Sequence, residues 1–279
     1  MSEAAAGAKA GESRGGMLGV LRGAGLAAGV VLTLLGAGML AAGPALYRMH
    51  VLDIDGATAG IGQWSMLAFA VGGAAALIAL IASFAGKKHR SAIVGIAVLV
   101  AAGTGAGMLY SQSVLRAELP PINDIQTDWG NPVAFTEKAL EAREAEGAAR
   151  VRDDAVIPEG SGKWSGKSFA EAQKGTAQYD DIKPLTVRAR PADATVAAAS
   201  AAKRLGWDVM RSDPPGGQME AVNHSFWYGL TSDIAVRVLP EGAGSRIDVR
   251  STSRLPNADL GSNAGQVKEL LDEIALELR

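Results

Sequence analysis

The chain reads as a helical transmembrane anchor of three spans followed by an α+β domain, an antiparallel sheet of about five strands packed against two helices. Three observations predict this. Long runs without a charged residue fill the first 112 positions and do not recur. Alternating apolar and polar residues, broken by short Gly/Pro turns, begin only after Ile182. Two helical patterns with one apolar stripe each accompany those alternating stretches.

Composition divides at the same place. Residues 1–112 hold seven Lys and Arg against four Asp and Glu, and the remainder hold 20 against 25, so a formal charge of −2 combines a basic half with an acidic one. Neither half carries the basic stripe that a phosphate backbone requires, which argues against nucleic acid as a partner. Cysteine is absent. Disulfides, thiolate chemistry and Cys-ligated zinc are thereby excluded, in keeping with an oxidising compartment.

Gly23 to Tyr47 is 25 residues without a charge, followed by uncharged runs at Gly56–Gly86 and Ser91–Leu115. Each exceeds the roughly 20 residues needed to cross a bilayer core, and none carries the polar stripe of a soluble helix. The spans are placed near 23–47, 64–85 and 91–111. Residues 1–22 form a tail, 113–181 an extended and partly helical connecting region, and 182–279 the α+β core. Small residues four apart, Gly25 with Gly29 and Gly103 with Gly107, offer close helix approach, although a chain this rich in Gly and Ala produces such pairs by chance. No span has an ionisable residue in its interior, which disfavours transport.

Orientation follows from the loops. "GKKHR" (86–90) carries Lys87, Lys88 and Arg90, whereas "VLDIDGATAGIGQ" (51–63) carries Asp53 and Asp55 and no Lys or Arg. Positive charge is retained in the cytoplasm. The tail and "GKKHR" are therefore expected inside, and everything after the third span outside the cytoplasmic membrane. Tyr47, Trp64 and Tyr110 then fall at the outer ends of their spans, where amphipathic rings prefer to sit. A leader cleaved near Ala42 is the competing reading of the first span, and it leaves the remaining orientation unchanged.

In the second half, Pro120-Pro121 forces an extended path. "TEKALEAREAEGAA" (136–149) predicts a short exposed helix. Residues 150–180 read as loop, with one helical turn at "SFAEAQKG" (168–175). The core then runs as a strand at "PLTVRAR", a helix from Pro191 to the Gly206 stop, and strands at "WDVMRSD", "QMEAVNHSFWYG", "SDIAVRVLP" and "RIDVRSTS". A final helix from about Ser262 aligns Val267, Leu270, Leu271, Ile274 and Leu278. The order β-α-β-β-β-β-α, joined by short turns, predicts an antiparallel meander with helices on one face.

These residues resemble a known family. The proline-rich "PPINDIQTD", the "YDDIKPL" segment with Tyr179, Asp181, Ile182, Pro184 and Leu185, and Gly206-Trp207 carry the likeness. So do Glu220-Ala221, the aromatic cluster around Trp227, and Asp233 with Arg237. Densest of all is "GSRIDVRSTSR" followed by "DLGSNA". The chain is similar over about residues 118–279 to the domain-of-unknown-function 1499 family, many of whose members carry a membrane-spanning N-terminal part. It departs from the family pattern at Ser232-Asp233, Pro256 and Gln266. The resemblance implies no activity, because the family has none assigned.

Candidate chemistry is sparse. His50 and His89 lie at span boundaries, and His224 on the third strand reads as a structural residue. No His pair has metal-ligand spacing, so neither a metal nor a cofactor is expected. The adjacent acids Asp153-Asp154 read as solvated neighbours that diverge in direction. "GSGKWSGKS" (160–168) has the wrong glycine spacing for a phosphate loop. With Ile247 and Val249 inward, Arg246, Asp248, Arg250 and Thr252 should form an outward ladder of cross-strand charge pairs. Asp259 or Ser262 can cap the last helix, whose free N–H groups favour an anion beside Arg250 or Arg254. The candidate binding residues are Arg237, Arg250, Ser251, Ser253, Arg254, Asp259 and Asn263. The expected function is an integral membrane protein presenting a non-enzymatic envelope binding or scaffold module, its partner an envelope protein or an anionic or polar ligand. The alternative is an envelope-facing, hydrolase-like enzyme using Asp, Ser and Arg residues around 233–263.

Overall fold

A computed structural model describes residues 2–148, 150–255 and 261–279. Asp259 lies outside the described residues. The chain forms two compact units, Met1–Val114 and Leu115–Arg279.

The first unit is helical. Helix α1 (Ser2–Arg48) is followed by a short π-helical turn (Gly56–Gly60), α2 (Ile61–Ala85) and α3 (His89–Glu118), whose last residues belong to the second unit. All three helices are long and apolar enough to cross a membrane. Close approach of α1 and α2 depends on small residues. A Cβ on Gly25 would lie 2.7 Å from the Ala75 carbonyl oxygen, and one on Gly29 would lie 3.1 Å from that of Gly72. The same spacing at Gly103 and Gly107 opens onto empty space. Instead, the Phe69 ring occupies the room left by Gly36 on α1 and Gly105 on α3, where a Cβ would come within 3.0 and 2.6 Å of it. One glycine pair is a packing device between α1 and α2, and the other meets no neighbour among the described residues.

The second unit is built on a six-stranded antiparallel sheet. Its elements are β1 (Asp124–Gln126), α4 (Glu137–Ala145), α5 (Phe169–Lys174), β2 (Leu185–Val187), α6 (Pro191–Arg204) and β3 (Asp208–Asp213). They continue with β4 (Gln218–His224), β5 (Thr231–Glu241), β6 (Gly244–Ser253) and α7 (Ser262–Glu277). Strands β3 to β6 form the predicted meander. The outer edge of β6 is shared, with β2 pairing at 245–247 and β1 at 250–252. Gly244 marks where β2 crosses, since a Cβ there would lie 1.9 Å from the Val187 carbonyl oxygen. Strand β1 is the element that the alternation did not announce. It is three residues long, with Ile125 its single apolar side chain.

One face of the sheet is apolar. Register sets Met219, Val236 and Val249 in one cross-strand row and Val238 beside Ile247 in the next, all buried. Helix α6 contributes Ala194, Ala198, Ala201 and Ala202, whose small side chains let it lie close to the strands, and α7 contributes Val267, Leu270, Leu271 and Ile274. Burial of such aliphatic side chains, at ~1.5–3 kcal/mol each, is the main driving force for this layer.

Packing starts earlier in the chain than Ile182. Leu119, Ile122, Ile125, Ile157, Trp164, Ala172 and Tyr179 all join the same core. Beyond β1, residues 127–148 and 150–153 send side chains and carbonyls onto the other face of the sheet as a strap.

Candidate functional site

Alternate residues of β4, β5 and β6 point away from α6 and α7. Three cross-strand rows result: Gln218, Arg237 and Asp248; then Glu220, Ala235, Arg250 and Gln126; then Val222, Asp233, Thr252 and Asp124. An exposed ladder was expected here. Glu220, Asp233, Asp248, Arg250 and Thr252 are instead buried, because the strap covers them.

Arg250 is the centre of this layer, with only 1% of its surface exposed. Its Nε and Nη2 donate to Asp124, the latter at 2.6 Å, and Nη1 donates to the Val133 carbonyl at 2.9 Å and to Asp153 at 2.7 Å. Thr252 Oγ1 donates to the same Asp124 at 2.9 Å. The rings of Trp129 and Phe135 lie 6.0 and 5.9 Å from the guanidinium carbon, a cation–π arrangement. Burial pulls the Arg250 pKa down, but its bonds to Asp124 and Asp153 outweigh that and hold it above the ordinary arginine value. The planar fork suits such multiple bonding. Asp153 and Asp154 do diverge, since Asp154 pairs with Arg152 in solvent.

Asp233 forms a second cluster. Arg143, projecting from α4, donates to it at 2.5 Å and to the Thr252 and Ser253 carbonyls at 3.0 Å each. Arg254 grips the same carboxylate with Nε at 3.0 Å and Nη2 at 2.7 Å, and also pairs with Glu146. The Asp233 contact, aided by Glu146, raises the Arg254 pKa against the lowering effect of burial. A third group joins Arg237 and Arg246 to Asp248 at 3.1 and 3.0 Å, with Asp128 from the strap 2.7 Å from Arg246. In addition, the Thr136 amide and hydroxyl donate to Glu220 at 2.6 and 2.7 Å.

The strap's own path is fixed by side-chain amides. Gln173 on α5 stands in for a neighbouring strand, accepting from the Gln126 amide at 3.2 Å and donating to its carbonyl at 2.8 Å. Gln126 Oε1 in turn accepts from the Val133 amide at 3.0 Å. α5 is held by a capping box between Ser168 and Glu171.

The candidate residues therefore fall into two groups on opposite faces. Arg237, Arg250 and Arg254 belong to the charged face. Ser251, Ser253 and Asn263 belong to the helix side, where Ser251 Oγ lies 3.0 Å from Asn263 Oδ1 and 2.6 Å from Gln266 Oε1. Asn263 Nδ2 donates to the Asn123 carbonyl at 2.7 Å, tying α7 to the residue before β1. His224 is exposed at the end of β4, with Nδ1 3.2 Å from Thr231 Oγ1. Among the described residues no group of three or more acidic, His or Cys side chains could hold a metal ion.

What stands open is a groove along β4, at the margin of the strap. Its larger hollow is about 420 Å³ and lies between α4 and strands β3–β4, walled by Phe135, Ala139, Ala142, Met210 and Val222. Met210 reaches it because a bulge between Val209 and Arg211 inserts an extra residue into β3. Glu220, Asp233 and Arg254 contribute polar atoms, with Lys138 and Arg211 also lining it. The smaller hollow, about 270 Å³, is lined by Pro132, Val133 and Arg237 and shares Glu220 with the first. The larger falls within the roughly 300–1,000 Å³ of small-molecule sites. Sequence reasoning missed the groove because its walls come from α4, a bulge and one strand, which no single periodicity connects. The carboxylates within it are engaged, Glu220 by Thr136 and Asp233 by two guanidinium groups.

Fold and site define a class: an α+β domain that follows three apolar helices, with one sheet face strapped and charged and an apolar groove beside it. The chain belongs to the DUF1499 family of proteins of unknown function, whose model matches residues 124–274. The match begins at the first residue of β1 and so includes the strap as well as the sheet. No curated protein matches the chain.

Proposed function

We propose that the three apolar helices span the cytoplasmic membrane and present the α+β domain on its extracytoplasmic side as a non-enzymatic binding module for an anionic amphiphile. The asymmetry of Lys and Arg between the loops supports the orientation. The groove carries the ligand assignment. Phe135, Ala139, Met210 and Val222 suit an apolar chain, while Lys138, with Arg211 beside it in the wall, suits an anionic head. Arg237 and Arg254 are the two candidate residues that line the hollows. Arg250, Ser251, Ser253 and Asn263 shape the site from within the fold.

Native mass spectrometry of the full chain, extracted in mild detergent, tests the reading. A co-purified anionic amphiphile is expected on the wild type and lost from Met210→Glu, an exposed position where added charge spoils the apolar wall. The same retained species on both proteins, or none on either, contradicts it.

A further inference from the structure

Among the described residues, the buried carboxylates are Asp124, Glu220, Asp233 and Asp248, all on the charged face of the sheet. Three of them are matched by guanidinium groups: Asp124 by Arg250, Asp233 by Arg143 and Arg254, and Asp248 by Arg237 and Arg246. Glu220 is the exception. It is only 6% exposed, yet no Lys, Arg or His nitrogen among the described residues lies within 4.0 Å of it. Its two oxygens accept from the Thr136 amide at 2.6 Å and the Thr136 hydroxyl at 2.7 Å. Both donors are neutral and belong to one residue, whereas a carboxylate offers roughly four acceptor positions. An ionised carboxylate withdrawn from water without a counter-charge is strongly unfavourable.

The cations around Glu220 are committed elsewhere. Arg211 stands opposite it across the β3–β4 pair, but its side chain turns along the strands to Gln218 and to Asp213, the latter at 2.8 Å. Arg250, beyond Ala235 in the same cross-strand row, donates to Asp124, Asp153 and the Val133 carbonyl. Arg237, in the next row, is bonded to Asp248 and to the Asn131 and Pro132 carbonyls. Lys138 lines the larger hollow but is exposed on α4. Position adds a second observation. Glu220 is the residue that the two hollows of the groove share. The one unmatched carboxylate of the layer is thus the one that lies on the groove from end to end.

We propose that Glu220 receives a primary ammonium group on the ligand's head, so that the amphiphile in the groove bears an ammonium beside its anion. The assignment rests on the reading of the groove as an amphiphile site, and it adds the cationic half of the head. An ammonium supplies both things that Thr136 does not, a counter-charge and N–H donors for the remaining acceptor positions. Charge-assisted bonds of this kind are stronger than neutral ones, and shelter from water strengthens them further. A metal ion fits less well, since Asp233, the other carboxylate of the larger hollow, is already filled by Arg143 and Arg254. Lys138 then takes the anion and the apolar wall takes the chain.

A competition between two probes tests this. Dodecylphosphoethanolamine and its N-acetyl derivative share the chain and the phosphodiester, but only the first carries an ammonium. Equimolar amounts are added to the full chain in mild detergent, and native mass spectrometry reads the occupancy of each. The wild type is expected to hold the ammonium form several-fold over the acetylated one. Glu220→Gln keeps the size of the side chain and an acceptor for Thr136 while removing the charge. In that variant the preference should vanish through loss of the ammonium form, with occupancy by the acetylated form unchanged. Lys138→Met, at an exposed position, should lower both forms alike. Equal occupancy on the wild type overturns the assignment without recourse to any variant, and so does a preference that survives Glu220→Gln. Either result, with both probes bound, leaves the amphiphile reading intact. A selective loss of the ammonium form in Lys138→Met overturns the division of the head between the two residues. Binding of neither probe to the wild type overturns the amphiphile reading itself.

Discussion

The two faces of the sheet are buried by different chemistry. On one, Met219, Ile234, Val236, Ile247 and Val249 meet the alanines of α6 and the aliphatic stripe of α7. On the other, Asp124, Asp233, Asp248 and Arg250 are equally buried but meet Arg143, Arg254, Arg237 and the strap's carbonyl groups. The apolar layer is stabilised by removal of area from water, and its parts tolerate some exchange. The charged layer starts from a desolvation penalty that only complete pairing offsets. Losing one partner there does more harm than its net contribution suggests, because the remainder stays buried and unpaired.

Substitutions can break this comparison, and the largest effect is expected at Asp233. Asp233→Ala removes the carboxylate shared by Arg143 and Arg254 and leaves two guanidinium groups facing each other. Destabilisation of ~3–5 kcal/mol is expected, read from unfolding of the full chain in detergent followed by tryptophan fluorescence. A loss under ~1 kcal/mol, the range of exposed pairs, would remove the distinction between the faces. On the apolar side, Ile247→Ala should cost ~2–5 kcal/mol through lost burial and a residual cavity. Unlike the first variant, its deficit should be insensitive to salt.

Thr136→Val probes the margin between the faces. It removes the hydroxyl bond to Glu220 and keeps the amide bond, for an expected loss of ~1.5–3 kcal/mol. Proteolysis of native protein should then cut first within the strap; unchanged digestion would show that the strap does not depend on this link. The smallest effect belongs to the strap's local structure. Ser168→Ala breaks the capping box of α5 and should cost ~1 kcal/mol. Its partner Glu171 has a pKa lowered by the Ser168 amide and hydroxyl. The contribution is therefore present above the ordinary glutamate range and lost as pH falls through the depressed value. The gap between wild type and Ser168→Ala should narrow on acidification, and a gap that widens would contradict the cap.

This asymmetry also explains what the sequence disclosed. Strands β2 to β6 and helices α6 and α7 were legible because one apolar face imposes a period of two or 3.6 residues, and Pro191, Gly206 and the Pro-Pro-Gly-Gly turn punctuate them. The charged face obeys the same period, but charge at alternate positions reads equally well as a solvated ladder. Its cover is written in a different code. "NDIQ" holds the Asp124 carboxylate that pairs with Arg250 and the Gln126 backbone that bonds Gln173, yet offers too few apolar residues to read as a strand. Arg143 sits in a helix whose other residues look exposed. A buried partner for Asp233 could have been inferred only from the excess of arginines in β5, β6 and the residue after it. The groove was hidden for the same reason: its walls are brought together by the strap.

The coupling between Arg250 and Asp124 tests this account most directly. In a double-mutant cycle of Arg250→Met, Asp124→Leu and the double variant, Arg250→Met leaves Asp124 buried with only the Thr252 hydroxyl, Asp124→Leu leaves Arg250 buried with Asp153 as its one carboxylate, and the double change removes both. The expected coupling is ~2 kcal/mol or more, in the upper part of the range for contacting residues, with the double variant more stable than either single one. A coupling of ~0.5 kcal/mol or less, as found for exposed pairs, would mean that this face of the sheet is open to water and that the strap does not cover it.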